Sequence, residues 1–169
     1  MERMQLAEAH EKFLHLWGTM SSQWGISRAM AEIHGLLLLT EKPMCSESIM
    51  AELHMSRGNV HNNLHALMDW GLVQKVLKVG ERREFFLAEK DIWTITRSIM
   101  IQRKKRELEP LLRNLDELSD VEGAGNESEH FRKLVRDIKM LSSRVDITLE
   151  KLIQADSQWV ISLLMRMMK

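Results

Sequence analysis

Residues Ser56 to Val73 read SRGNVHNNLHALMDWGLV, and this stretch decides how the rest of the chain is interpreted. Ser56 precedes a helical pattern, so its hydroxyl can accept a hydrogen bond from a free backbone N–H at the helix start. Apolar residues then recur at three- and four-residue steps on one helix face. These residues are Val60, Leu64, Leu67 and Met68. Gly71 can adopt the left-handed conformation that ends a helix, and an extended run follows it. The stretch therefore predicts a helix followed by a strand.

The opposite face of this predicted helix is polar but carries few charges. Amide and arginine side chains can pair bidentately with base edges in the major groove, and a glycine lets a helix N-terminus approach a phosphate. Such a face favours a DNA-recognition helix over the alternative, an ordinary solvated face of a small helical domain. The residues expected to contact DNA are Ser56, Arg57, Gly58, Asn59, His61, Asn62 and His65.

The segments on either side fit the same interpretation. Residues 46–54, SESIMAELH, predict a short helix capped by Ser46, and the turn His54-Met55-Ser56 completes a helix-turn-helix. Residues 72–87, LVQKVLKVGERREFFL, predict two extended runs joined at a hairpin tip, Gly80-Glu81-Arg82. This hairpin resembles a wing, in which Lys78, Arg82 and Arg83 could reach phosphates or a minor groove. The alternative for the hairpin alone is a solvated loop with charged ends.

The composition restricts the class of protein. The chain has 169 residues, a formal net charge of +0 and one cysteine. Residues 1–53 carry 4 basic and 7 acidic side chains, residues 54–106 carry 11 and 5, and residues 107–169 carry 9 and 12. The basic block coincides with the predicted recognition helix and wing, as phosphate contact requires. A charged N-terminus, the single cysteine and the absence of a long apolar run predict a cytoplasmic protein with no membrane segment.

Long helices are predicted outside this central region. Residues 2–24 and 27–39 each predict an amphipathic helix. Asp91 can cap a third helix that runs from Ile92 to about Leu118. The middle of this third helix, residues 102–107, is polar and is either solvated or an extra phosphate contact. Residues 119–128 predict a flexible loop. A further apolar stripe lies on Leu134, Ile138, Leu141, Val145, Leu149 and Leu152, and a last helix is predicted after Asp156 with Trp159, Val160, Leu163, Leu164 and Met167 on its apolar side. Such stripes are buried on each other and on a second subunit, so a two-fold homodimer is expected.

The order of these elements resembles the MarR superfamily of winged-helix regulators. The segments FLHLWGTMSSQWGISRAMAEIHGLLLL, MAELHMSRGNVHNNLHALMDWGLVQKV and GERREFF are most similar to its GbsR-type branch, over roughly residues 10–120. The resemblance implies a homodimeric transcription factor on an imperfect palindrome. It places Ser56, Arg57, Gly58, Asn59, Asn62 and His65 at the groove, and Arg82 and Arg83 at the wing contact.

The resemblance also raises the question of a small effector, since some members of the branch respond to a ligand. The chain has no tyrosine, so an aromatic cage for a quaternary ammonium would need Trp17, Trp24, Trp70 or Trp93. Tryptophans at helix junctions are more often part of the core than of a ligand site. These four residues are therefore candidates for an effector site, with core packing as the alternative.

Other chemistry has little support in the sequence. His61 and His65 have a metal-compatible spacing, but no further ligand lies near them in sequence, so no metal is expected. Cys45 near a helix start could be a redox switch, although a plain, partly buried thiol is the simpler interpretation. No nucleophile–base–acid set or phosphate-binding loop is present, so an enzyme and a cofactor are not expected.

The sequence thus predicts a mainly α protein with a small β-wing: a winged helix-turn-helix with long N- and C-terminal dimerisation helices. The expected domains are an N-terminal dimerisation helix (1–25), a winged helix-turn-helix (26–90) and a C-terminal helical dimerisation region (91–169). The expected function is a sequence-specific DNA-binding regulator, most simply a repressor, acting as a homodimer on double-stranded DNA. The alternative is a winged-helix protein-interaction module that scaffolds an assembly without binding DNA.

Overall fold

The computed structural model describes residues 4–119, 121 and 125–156, without the side chains of Ser22 and Trp24. The helices and strands follow one another as α1 (Leu6–Met20), a 3₁₀ turn (Ser21–Trp24), α2 (Arg28–Leu39), β1 (Met44–Cys45), α3 (Ser46–Leu53), α4 (Arg57–Asp69), β2 (Val73–Val76), β3 (Phe85–Ala88), α5 (Ile92–Arg103), a π turn (Lys104–Leu108), α6 (Glu109–Leu118) and α7 (Asn126–Gln154). The chain divides into two compact units, one ending at Ile95 and the other beginning at Thr96. The predicted last helix after Asp156 lies outside the described residues.

The core of the first unit lies where α2, α3 and α4 meet. The largest fully buried side chains are Ile33, Leu37, Ile49, Val60, Leu64 and Leu67. Those from α4 recur at steps of three and four, so one face of this helix is buried while the other stays in solvent. This arrangement confirms the predicted winged helix-turn-helix.

A three-stranded antiparallel sheet covers the end of this core, in the order β1-β3-β2. Val73 pairs with Ala88 and Val76 with Phe85, which makes β2 and β3 the predicted wing. The sequence did not predict β1, in which Met44 pairs with Phe86. Two residues between a proline and a helix start give no alternating pattern, so only their partner strand reveals them as a strand.

The helix starts mostly follow the expected capping. The Ser27 and Ser56 hydroxyls accept hydrogen bonds from Met30 N (3.1 Å) and Asn59 N (3.4 Å), and Asp91 Oδ1 accepts from Thr94 N (2.7 Å). The predicted cap at Ser46 is wrong by one residue, because Cys45 is the N-cap of α3 and makes no side-chain cap hydrogen bond.

The turn between α3 and α4 requires an unusual backbone at its first residue. His54 has φ 52° and ψ 39°, the left-handed conformation, and Met55 N donates to Met50 O at 3.1 Å. The chain therefore reverses within three residues, and Ser56 begins the next helix immediately. The short turn fixes the direction in which α4 leaves the core.

α1 packs closely on α2 through glycines. A Cβ added to Gly35 would lie 3.1 Å from Trp17 Cδ1, and one added to Gly18 would lie 3.1 Å from Glu32 Cγ. The close approach buries His34 at 3% exposure, with its ring centroid 6.1 Å from that of Trp17. The helix ends differ from the prediction, since α1 begins at Leu6 and its last predicted turn is 3₁₀.

The second unit contains the C-terminal helices. The helix predicted from Ile92 to Leu118 is interrupted by a π turn over Lys104–Leu108, just before Pro110. A proline inside a helix lacks an N–H and its ring clashes with the carbonyl four residues earlier, here that of Arg106. The wider turn accommodates that clash, and α6 then continues. α7 begins at Asn126, which shortens the loop predicted for residues 119–128.

Candidate nucleic-acid interface

The exposed face of α4 carries the residues predicted to contact DNA. Val60, Leu64 and Leu67 are at most 1% exposed on one side of the helix. The predicted contact residues all lie on the exposed side: Ser56, Arg57, Gly58, Asn59, His61, Asn62 and His65. A Cβ added to Gly58 would meet nothing within 4 Å, so the first turn of α4 is open to solvent. The structure therefore offers one arginine, two amides and two imidazoles on a single open surface.

A hydrogen-bond chain from α2 orients one of these amides. Ser27 Oγ donates to Asn63 Oδ1 at 3.0 Å, and Asn63 Nδ2 donates to Asn59 Oδ1 at 2.7 Å and to Asn59 O at 2.8 Å. The Asn59 amide therefore keeps its N–H groups free to point away from Asn63. Asn63 is not among the residues predicted to contact DNA, although its spacing of four from Asn59 places the two side chains together.

The two histidines of α4 lie beside the wing. Their ring centroids are 4.3 Å apart in an edge-to-face arrangement. Glu84 lies just before β3 and accepts a hydrogen bond from Lys75 Nζ. This hydrogen bond lowers the pKa of the Glu84 carboxyl, and the nearby His65 and His61 make smaller contributions in the same direction. The predicted recognition helix also packs against β2, so α4 and the wing lie side by side.

The cations of the wing are arranged less freely than the sequence suggests. The Lys78 ammonium lies 3.9 Å from the centroid of the Phe85 ring, and the Arg83 guanidinium lies 5.7 Å from it. Arg83 also forks onto Glu81 with N–O distances of 3.0 and 3.1 Å, which raises the pKa of Arg83. Lys78 and Arg83 therefore lean back toward the base of the wing, while Arg82 is exposed at the tip.

Lys90 fixes the position of the wing relative to α2. Its Nζ donates to the backbone carbonyls of Leu37, Leu38 and Thr40 at 2.6, 2.8 and 2.8 Å. Burial lowers the pKa of this lysine. A cation at the C-terminus of α2 satisfies carbonyls that the helix leaves free and interacts favourably with the helix dipole.

The tryptophans proposed as effector ligands occupy different surroundings. Trp17 stacks on Phe13 at a centroid distance of 5.2 Å, and Trp70 is buried at the end of α4. Trp93 is half-buried in the first turn of α5, and the Trp24 side chain lies outside the described part of the structure. Within the described residues, no group of three or more His, Cys, Asp or Glu side chains is placed to hold a metal ion. None of the described helices is both long and apolar enough to cross a membrane.

Comparison with known proteins agrees with this geometry. A profile of the bacterial regulatory protein arsR family matches residues 36–75, from the end of α2 into β2. A Bacillus subtilis (strain 168) protein named as an HTH-type transcriptional regulator, YvaV, is 19% identical over 141 residues, covering 79% of this chain and 80% of its own length.

Two solved structures are also similar. The crystal structure of a transcriptional regulator superposes with a TM-score of 0.66 at 17% identity, over 86% of this chain and 95% of that one. S. aureus MepR in its DNA-binding conformation gives a TM-score of 0.41 at 19% identity, over 80% of this chain and 91% of that one. The profile match and the fold indicate a DNA-binding transcriptional regulator of the winged-helix type rather than an enzyme.

Proposed function

We propose that this winged-helix protein is a repressor that binds a palindromic operator as a homodimer, with α4 in the major groove of each half-site. The supporting observation is the composition of the exposed α4 face, where Asn59, Asn62 and His65 accompany Arg57 in place of the lysines and glutamates of an ordinary solvated helix. Two recognition helices in a two-fold dimer would meet major grooves about 34 Å apart, one helical turn of DNA.

The homodimer is supported by an apolar face that the second unit leaves exposed. α7 turns Val135, Ser142 and Ile153 inward. The N-terminal part of the stripe predicted from the sequence is open, with Leu134 at 50%, Leu141 at 65% and Val145 at 49% exposure. A second copy presenting the same stripe is a self-complementary partner, as a two-fold interface requires. We propose that residues 1–25 and 91–169 form the dimerisation regions flanking a DNA-binding domain at residues 26–90.

We further propose that the protein belongs to the GbsR-type branch, acts in the cytoplasm and responds to a small effector. The proposed effector site includes Trp17, Trp24, Trp70 and Trp93, and it is supported by the resemblance of the sequence to that branch. Binding there should change tryptophan fluorescence. Unchanged fluorescence across a panel of quaternary ammonium compounds and related metabolites would contradict the effector site but not the DNA-binding function.

The proposed function is tested by selecting bound duplexes from a random pool and by titrating binding against salt. We expect a palindromic consensus and a log–log salt dependence with a negative slope of several, because each neutralised phosphate releases a condensed counterion. No binding to any duplex at low salt would contradict the proposal and favour the alternative, a winged helix that docks on a protein partner.

A further inference from the structure

The loop at the end of the wing exposes two apolar side chains. In the loop between β2 and β3, Leu77 is 84% exposed and Val79 is 106% exposed. A short solvated hairpin loop usually carries polar residues at its tip, because apolar side chains gain nothing by being held in water. The two residues lie two apart and flank Lys78, so the tip presents a small paired apolar surface.

The turn geometry holds these side chains outward. Glu81 N donates to Lys78 O at 3.1 Å, which closes a four-residue turn with Val79 and Gly80 at its corners. Gly80 has φ +83°, a conformation that favours glycine at the third position of such a turn. Val79 therefore occupies the outermost corner of the wing.

Most charged side chains of the wing are engaged by neighbouring residues. Lys78 lies over Phe85, Arg83 is forked onto Glu81, and Lys75 is paired with Glu84. These contacts pair both acids of the loop with cations. The paired charges remain exposed, and Leu77 and Val79 extend into solvent beside them without a partner of their own kind in the loop.

We propose that Leu77 and Val79 act as an apolar wedge where the wing meets the minor groove of DNA. The inference rests on the proposed function, because it requires a duplex seated on α4. The strand β2 at the base of the wing packs against α4, so a duplex seated on α4 lies next to the wing. Arg82 at the same tip supplies the positive charge that a minor groove attracts.

The chemistry of the minor groove suits such a tip. Its walls are sugar edges, and apolar side chains that press between base steps partly unstack them and bend the duplex. Pyrimidine–purine steps unstack most easily, so a wedge would favour them at positions where no hydrogen bond reads a base. The wing would then add sequence preference through DNA deformation rather than through direct contact with base edges.

The test compares the intact protein with the double variant Leu77→Ser, Val79→Ser, using the end-to-end distance of a doubly labelled operator duplex. We expect the wild type to bend DNA by at least about 20°. The double variant should lose most of this bend and its preference for a flexible step, with an unchanged salt slope because no charge is removed. Val79→Leu, which retains an apolar tip, should still bend the duplex.

Two results would overturn the wedge. One is a straight duplex on the wild type; the other is the same bend and step preference with both serines in place. In either case, a change of base preference in Asn62→Ala would show that α4 still reads DNA, so only the wedge would fail. Absence of DNA binding by the wild type at low salt would overturn the wedge together with the proposed function.

Discussion

At the scale of single residues, Asn63 illustrates a role that only the folded chain reveals. The sequence places Asn63 beside Asn59 on one helix, but its other partner, Ser27, lies 36 positions away. Ser27 Oγ accepts from Met30 N, so its own proton is left to donate to Asn63 Oδ1. This fixes Asn63 Nδ2 toward Asn59, and the Asn59 amide then offers N–H donors rather than an oxygen to a base.

Asn63→Asp should therefore reverse the Asn59 amide. A carboxylate still accepts from Ser27, but it must also accept from Asn59 Nδ2, which would turn Asn59 Oδ1 outward. We expect a changed base preference at the position that Asn59 reads, by about 1–3 kcal/mol, measured by selection from a random pool. Ala66→Asp adds the same charge to the same helix at a position outside the proposed contact residues, and it serves as the control. Identical preferences in the two variants would contradict a positioning role for Asn63.

His34 is a second residue whose environment the sequence could not give. Burial lowers the pKa of His34 from 6.5 to about 4, with a smaller contribution from the charge of Lys90. Its Nε2 is buried and has no hydrogen-bond partner within the described part of the chain. Protonation in place would therefore put an unsatisfied charge between α1 and α2, so the folded state resists it.

The consequence is a pH-dependent stability with a defined sign. Between pH 6.5 and 4 the unfolded chain binds a proton at His34 that the folded chain does not, so the free energy of unfolding falls as pH falls through this range, by about 3 kcal/mol at most. His34→Leu should remove this part of the dependence, measured by urea unfolding at pH 7, 6 and 5. His130→Leu, at an exposed position on α7, is the control. Parallel curves for wild type and His34→Leu would contradict the assignment.

At the scale of elements, the recognition helix was predictable and its supports were not. The α4 boundaries follow from Ser56, from the apolar steps and from Gly71, all of which act within a few residues. The strand β1 and the three carbonyls held by Lys90 depend on contacts between distant segments, which no local pattern encodes. The spacing of apolar residues could not predict the π turn either, although Pro110 marks the place where a regular helix must adjust.

The wing gives an element-scale prediction about its arginines. Arg82 is exposed and free to approach a phosphate, so Arg82→Ala should weaken binding to all sequences and reduce the salt slope by about one. Arg83→Ala should reduce the slope less, because Arg83 already pairs with Glu81 in the free protein. Binding constants between 50 and 200 mM salt measure both slopes, with Arg113→Ala on α6 as the control. A larger effect for Arg83 than for Arg82 would contradict the observed arrangement of the wing.

At the scale of the whole molecule, the charge pattern predicts where the chain contacts DNA, and the apolar pattern predicts where it dimerises. The basic block at residues 54–106 contains the recognition helix and wing, whereas the acidic C-terminal block contains the stripe on α7. The sequence identified that stripe but could not show which part of it the chain itself would bury. In the structure, the internal contacts of α7 use Val135 and Ser142, so Leu134, Ile138 and Leu141 stay available. A homodimer would cover them and would place two recognition helices on one duplex.

Leu141→Glu tests this assembly, because Leu141 is 65% exposed and contributes little to the core of the described chain. Burying a leucine side chain at the interface stabilises the dimer by about 2 kcal/mol. Because a two-fold dimer contains the substitution in both subunits, the loss occurs twice, and the carboxylate should separate the subunits. Sedimentation at micromolar concentration should give a dimer for the wild type and a monomer for the variant. The monomer should retain half-site binding at low salt but lose the gain in affinity that a full palindrome provides.

Gln154→Glu introduces the same charge on another side of α7 and should remain dimeric. A dimeric Leu141→Glu protein with full operator affinity would show that another surface joins the subunits.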